Sequence, residues 1–284
     1  MSSFWNTVMP LRPRITRESA RGIETRVVDV GPLECREGSS VLMIHGASGH
    51  LESFMLTVPE LAVAHRVVTF DLPCHGYATC PPEPYDVVGH AEFVADLART
   101  LGLGKVSLVG QSLGGAIAGR IAIDRMLELD RLVLIGSAGV PGQARGDPAH
   151  SMKAGLTVRD YEHVRARLEY AMSCRGPEMD ELIECRHLAY LWGDWQSRAD
   201  AFTFHETDAG HSRMTANEEE WASIDCPALL LWGSDDRVVP PLAGEKLSKL
   251  LPNARLVVVE GCGHNPQFER PAEVNPVIAS FLSE

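Results

Sequence analysis

Apolar residues along the chain fall into two alternating patterns. Strand-like runs lie at Thr25–Val30, Val41–Ile44, Arg66–Phe70, Lys105–Val109, Arg131–Ile135, Ala228–Trp232 and Arg255–Val259. The later runs are almost continuously apolar, as expected for strands covered on both faces in a parallel sheet. Between them the spacing becomes helical, at Ser53–Val63, Tyr85–Leu101, Leu113–Met126, Pro241–Leu250 and Pro271–Leu282. Repeated strand–helix–strand units predict an α/β fold with a mostly parallel, doubly wound sheet.

The alternation stops after Ile135 and resumes near Ala228. The interval reads as helices only. Thr157-Val-Arg-Asp160 has the form of a capping box opening a helix to about Met172. Pro177 can open a second helix to about Leu191. Such a segment is too long for a loop. It predicts a helical lid at residues 139–224, inserted into a core built from 1–138 and 225–284.

A chain of 284 residues, 45% hydrophobic and 23% charged, is long enough for one large α/β domain carrying such an insertion. No apolar stretch approaches the roughly 20 residues of a membrane helix. The net charge of −12 argues against nucleic-acid binding, and an anionic substrate would need a local cation. Much of that charge is local: Glu178–Glu220 holds 11 acids and three arginines. The seven cysteines form no CxxC pair and no zinc spacing, which predicts reduced, structural thiols in a cytoplasmic protein.

Lys105–Val109 runs into Gly110-Gln-Ser-Leu-Gly114, with a helix behind it. This is G-x-S-x-G in a strand–turn–helix context, which projects Ser112 above the carboxyl edge of the sheet. The next amide, that of Leu113, falls at a helix N-terminus and can stabilise an oxyanion. A serine hydroxyl needs a base, and the base an orienting acid. His264 leaves the last strand on Gly261-Cys-Gly-His264 and reaches the same edge. The acid should leave the preceding strand, where Asp235 and Asp236 compete and spacing does not choose between them.

With these residues in place, Thr25 to Leu282 resembles the α/β-hydrolase fold family. The family's acid lies in G-x-x-D-x-x-x-P, so Gly233 and Pro240 assign it to Asp236. Its H-G pair, here His45-Gly46, implies that the Ala47 amide joins Leu113 as an oxyanion donor, with His45 supporting the turn. Asp71-Leu-Pro-Cys-His-Gly76 resembles the family's D-x-x-G-x-G loop, with Cys74 in place of a glycine.

The lid carries a narrower resemblance. Met179, Leu182, Ile183, Ala189 and Tyr190 form an apolar stripe that also includes Arg186. By geometry alone that guanidinium either pairs with Asp180, Glu181 or Glu184, or meets a ligand anion. Leu156-Thr-Val-Arg159, Asp180-Glu-Leu-Ile-Glu-Cys-Arg186, Cys262-Gly-His264, Gln267-Phe-Glu269 and Asn275 resemble the meta-cleavage product hydrolases, C–C bond hydrolases of aromatic degradation. The resemblance implies that Arg186 binds the carboxylate end of a 2-hydroxy-6-oxo-dienoate. It also implies no metal or organic cofactor, and a homodimer. Three positions depart from the pattern: His45-Gly-Ala-Ser-Gly-His50 in place of H-G-x-G-P-G, Gln111 in place of Asn, and Asn265 in place of Trp. A small-molecule carboxylesterase, lactonase or amidase with the same triad is the alternative.

Overall fold

The computed structural model of the chain describes residues 3–32, 40–143, 160–204 and 214–284. Its sheet has eight strands: β1 Arg14–Ala20, β2 Ile23–Val30, β3 Ser40–Ile44, β4 Arg66–Phe70, β5 Val106–Gln111, β6 Leu129–Ile135, β7 Ala228–Gly233 and β8 Ala254–Val259. Their spatial order is β1-β2-β4-β3-β5-β6-β7-β8. The β1–β2 and β2–β4 pairs are antiparallel, and every later pair is parallel. The seven expected strands are present. The additional one, β1, is a mostly exposed edge strand of sequence RITRESA and leaves no apolar signature.

Strand residues alternate between two cores, one on each face. Leu42, Leu108, Leu132 and Leu230 pack with helices Val87–Thr100, Leu113–Ile123 and Pro241–Leu250. Val41, Val109, Val133 and Leu229 pack with Phe4, Val58 and helix Pro271–Ser283. The helix expected at Ser53–Val63 is instead a 3₁₀ turn, Leu51–Phe54, and a single α-turn, Val58–Leu61. Pro59 lacks an amide proton, so it suits the start of that α-turn and would cost a longer helix a backbone hydrogen bond.

Between β6 and β7 the described residues contain helices and no strand. Tyr161–Ala171 starts at Asp160, whose side chain accepts the His163 amide at 2.8 Å. The proposed start at Thr157 lies outside the described residues, as does Leu156-Thr-Val-Arg159. Pro177–Leu191 and Trp195–Phe204 follow. The last helix, Glu218–Ala222, packs on the core: Trp221 is buried against Gly119 and donates Nε1–H to the Gly139 carbonyl at 3.2 Å. Packing therefore divides the 139–224 segment, with its two ends laid on the core.

One buried guanidinium of the insert grips a turn of the core. Arg198, 1% exposed, donates to the carbonyls of Cys74, Gly76 and Ala78 at 3.0, 3.0 and 2.9 Å. This turn corrects the expectation of seven reduced thiols, because Cys74 and Cys80 form a disulfide across it, their Cα atoms 4.4 Å apart. A six-residue spacing matches none of the short cysteine motifs, so only the folded turn reveals the pair. Among the described residues Cys174, Cys185, Cys226 and Cys262 are free thiols. No described helix is long and apolar enough to cross a membrane.

Candidate active site

Ser112 follows β5 with φ 55° and ψ −117°, a left-handed conformation that costs a non-glycine residue about 1–3 kcal/mol. Its neighbours hold it there. The Ser112 amide donates to the Ile135 carbonyl at 2.9 Å, and its own carbonyl accepts from Gly115 and Ala138 at 2.9 and 3.0 Å. The flanking glycines are required by contact. A side chain at Gly110 would run into the Gly114 backbone, and one at Gly114 into the Ile44 carbonyl.

Downstream, His264 Nδ1 lies 2.7 Å from Asp236 Oδ2, and both residues are 5% exposed. The other Asp236 oxygen accepts the Val238 and Val239 amides at 2.9 and 2.8 Å. Asp235 is exposed and accepts only from the Ser234 hydroxyl among the described hydrogen bonds. Geometry thus puts Asp236, not Asp235, against the imidazole. Gly136 separates this pair from the elbow: a Cβ there would stand 3.0 Å from His264 Nδ1 and 3.1 Å from Asp236 Oδ2. Gly136 follows the Ile135 carbonyl that holds Ser112, so serine, imidazole and carboxylate line one edge of the sheet.

The Gly46 backbone packs on the elbow so closely that a Cβ would sit 3.0 Å from Ser112 Cβ. This brings Ala47 beside Ser112. Among the described residues neither the Ala47 nor the Leu113 amide donates to a protein acceptor. Leu113 is also the first residue of its helix, at the positive end of the dipole. Such a pair of amides can bind developing negative charge on an oxygen. No cluster of three or more His, Cys, Asp or Glu side chains among the described residues could hold a metal ion.

His45 is buried and accepts the Leu72 amide on Nε2 at 3.0 Å, so Nδ1 carries the proton toward the Gly46 carbonyl at 2.8 Å. Burial, reinforced by the charges of His50 and Arg186, pushes its pKa from 6.5 down to about 3. A base with a depressed folded pKa destabilises the fold on acidification. Its contribution is complete above pH 6.5 and is lost between 6.5 and about 3. Denaturant titrations from pH 7.5 to 4 should show stability falling by up to about 1.4 kcal/mol per pH unit from this one group. A His45→Gln variant should have a shallower slope.

Two positioning residues have no role assigned from sequence. Gln111 donates from Nε2 to the His264 carbonyl at 3.2 Å, tying the elbow to the histidine loop. Glu269 accepts the Gly263, Asn265 and Ser173 amides at 3.0, 2.9 and 2.6 Å, bracketing His264 and joining its loop to the insert. Its place five residues after His264 was the available signal.

Arg186 lies on helix Pro177–Leu191. The side chain is half-buried overall, while its Nε is enclosed and has no partner among the described residues. The acids nearby are engaged elsewhere or exposed. Asp180 pairs with Arg165 at 3.1 Å, Glu181 accepts the Phe4 amide at 3.1 Å, and Glu184 is exposed. Burial, followed by the nearby Arg167 charge, draws the Arg186 pKa down to about 10, leaving it cationic at neutral pH.

The chain belongs to the α/β-hydrolase fold family, whose profile matches residues 39–271. It is a hydrolase of that fold, and its relatives include enzymes of C–C bond cleavage. It is 28% identical over 273 residues to a 2-hydroxy-6-oxo-2,4-heptadienoate hydrolase of Pseudomonas putida strain F1, covering 93% of this chain and 94% of that one. Among solved structures it resembles a meta-cleavage product hydrolase of Pseudomonas fluorescens IP01, with 25% identity, a TM-score of 0.82, and 94% and 97% of the two chains covered. It also resembles a bacterial membrane phospholipase A, with 26% identity, a TM-score of 0.83, and 98% and 88% covered.

Proposed function

We propose that this protein hydrolyses a C–C bond in a 2-hydroxy-6-oxo-dienoate, with Ser112, His264 and Asp236 as its triad and the insert as its lid. The observation that carries the reading is Arg186, a cation without a carboxylate partner among the described residues. It suits a substrate that brings its own carboxylate. The dienol first ketonises within the site. His264 then takes a proton from Ser112, or from a water, as that oxygen attacks the remote ketone. The Ala47 and Leu113 amides receive the oxyanion. Collapse breaks the C–C bond, and the departing carbanion, delocalised into the dienoate, takes the proton from His264. Water releases the carboxylic acid if Ser112 was the nucleophile. A cytoplasmic location and a homodimer accompany this reading.

Loss of the yellow dienolate absorbance on adding purified protein tests it. Turnover of ordinary esters with none of the dienolate would sink it. That outcome would favour the second reading, a small-molecule esterase, which the likeness to the phospholipase supports. Arg186→Ala separates the two further. A charge-assisted hydrogen bond is worth about 1.5–3 kcal/mol. The variant's kcat/KM for the dienoate relative to a neutral aryl ester should therefore fall by about 10- to 100-fold. An unchanged ratio would place Arg186 outside substrate recognition.

A further inference from the structure

Cys74 stands where the D-x-x-G-x-G pattern has a glycine, and its φ is 66°, in the left-handed region. A residue with a side chain adopts that conformation at a cost and needs its surroundings to hold it there. One of those restraints is covalent, the disulfide to Cys80 that closes the turn into a ring. Inside the ring the Cys74 amide donates to the Thr79 carbonyl at 3.0 Å, and the Ala78 amide to the His75 carbonyl at 2.9 Å.

The insert holds this same ring. The carbonyls of Cys74, Gly76 and Ala78 converge on the Arg198 guanidinium. Trp192 of the insert meets Tyr77 edge-on with 5.7 Å between ring centres, and Arg198 lies over the Trp192 ring at 5.0 Å. Three alternate carbonyls reach one cation only while the backbone between them keeps a single shape. Two left-handed residues, Cys74 and Gly76, set that shape. If Cys74 leaves its conformation, its carbonyl turns off the guanidinium. Arg198 is 1% exposed, so it has little water with which to replace a lost acceptor. The disulfide is also more open on one side. Cys74 is 2% exposed, whereas Cys80 is only half-buried. Access of this kind favours exchange with an outside thiol.

We propose that the Cys74–Cys80 disulfide is a thiol-reversible latch on the insert, opened by a dithiol reductant. A thiolate of the dithiol attacks the Cys80 sulfur and forms a mixed disulfide. The Cys74 sulfur leaves as a thiolate and takes a proton. The second thiol of the reductant then attacks its partner sulfur in the mixed disulfide, and Cys80 leaves and is protonated in turn. Two electrons and two protons pass to the protein, and the dithiol departs as its cyclic disulfide. Released from the ring, Cys74 relaxes out of the left-handed region, the grip on Arg198 loosens, and the insert opens more readily from the core. The latch acts on the insert whether the substrate is a dienoate or an ester.

The test compares backbone hydrogen exchange in aerobically purified protein and in the same protein treated with dithiothreitol. Alkylation and mass spectrometry report the state of Cys74 and Cys80. Reduction should speed exchange in helix Trp195–Phe204 about fivefold or more and leave helix Val87–Thr100 within about twofold. Reoxidation should restore the slow rate. Cys80→Ser should exchange at the reduced rate under both conditions. Cys74→Gly accepts the left-handed backbone without a cross-link, so it should stay within about twofold of the oxidised wild type and ignore the reductant. In Arg198→Gln the insert should exchange quickly and no longer respond to reduction, because the latch works through that guanidinium. If this variant fails to fold by thermal melt, Cys80→Ser and Cys74→Gly carry the comparison. A fully reduced wild type whose insert exchanges as slowly as the oxidised form overturns the proposal. An increase spread evenly over insert and core overturns it as well, since the disulfide then only stabilises the whole fold. A Cys74–Cys80 bond that stays closed in the native protein under dithiothreitol, or that is absent after aerobic purification, also overturns it.

Discussion

A His264→Ala variant should lose about 10⁴-fold or more in kcat on dienoates and on aryl esters alike. Whether Ser112 or a water attacks, the proton must leave through one imidazole. That imidazole sits 2.7 Å from Asp236, with no second histidine placed on the carboxylate among the described residues. The pair responds as a unit, so Asp236→Asn should also cost about 10⁴-fold by offering Nδ1 the wrong partner. Ser112→Ala then identifies the attacking oxygen. It should abolish ester hydrolysis, and single-turnover traces should retain dienol ketonisation if His264 alone drives that step. A His264→Ala enzyme within tenfold of wild type would refute the triad.

The second large effect is on stability. Arg26→Met should cost about 3–5 kcal/mol and lower the melting temperature by about 10 °C. The Glu52 and Asp71 side chains are 4% and 0% exposed, and Arg26 is the guanidinium that satisfies both. Asp71 also accepts the Leu51 and Tyr77 amides at 2.9 and 3.0 Å, so its carboxylate cannot turn away to find water. Removing the cation strands two buried acids. Adding Glu52→Gln to the variant should restore part of the loss, because one of the stranded charges is gone. The wild-type cluster has an acid signature of its own. Glu52 has its pKa lowered from 4.5 to about 2, so its contribution is full above pH 4.5 and disappears as pH falls toward 2. An Arg26→Met protein that melts within about 2 °C of wild type would show that the cluster adds little.

Sequence made the central sheet legible because strands buried on both faces announce themselves as apolar runs. Where that physics fails, so does the reading. β1 is an exposed edge strand with the composition of a loop. The run at Ser53–Val63 has helical spacing, but Pro59 breaks it into two short turns. Within the site, G-x-S-x-G located the elbow, whereas Asp235 and Asp236 differ only in where the chain turns after β7. Spacing carries no such information, and the Val238 and Val239 amides settle the geometry in favour of Asp236. Arg186 was legible as a cation on an apolar stripe, but not that Asp180 and Glu181 have other partners.

The grip of Arg198 on the Cys74–Cys80 turn bears on how such enzymes exchange parts. Three carbonyls of one turn converge on a guanidinium contributed by the insert. Grafting the insert alone onto another sheet would import a buried cation and leave its acceptors behind. Grafting the turn alone would leave three inward-facing carbonyls with nothing to bond. The two segments are more than 100 positions apart in the chain yet form a single transplantable unit. Recombination in this lineage, natural or in the laboratory, should preserve them together or lose both.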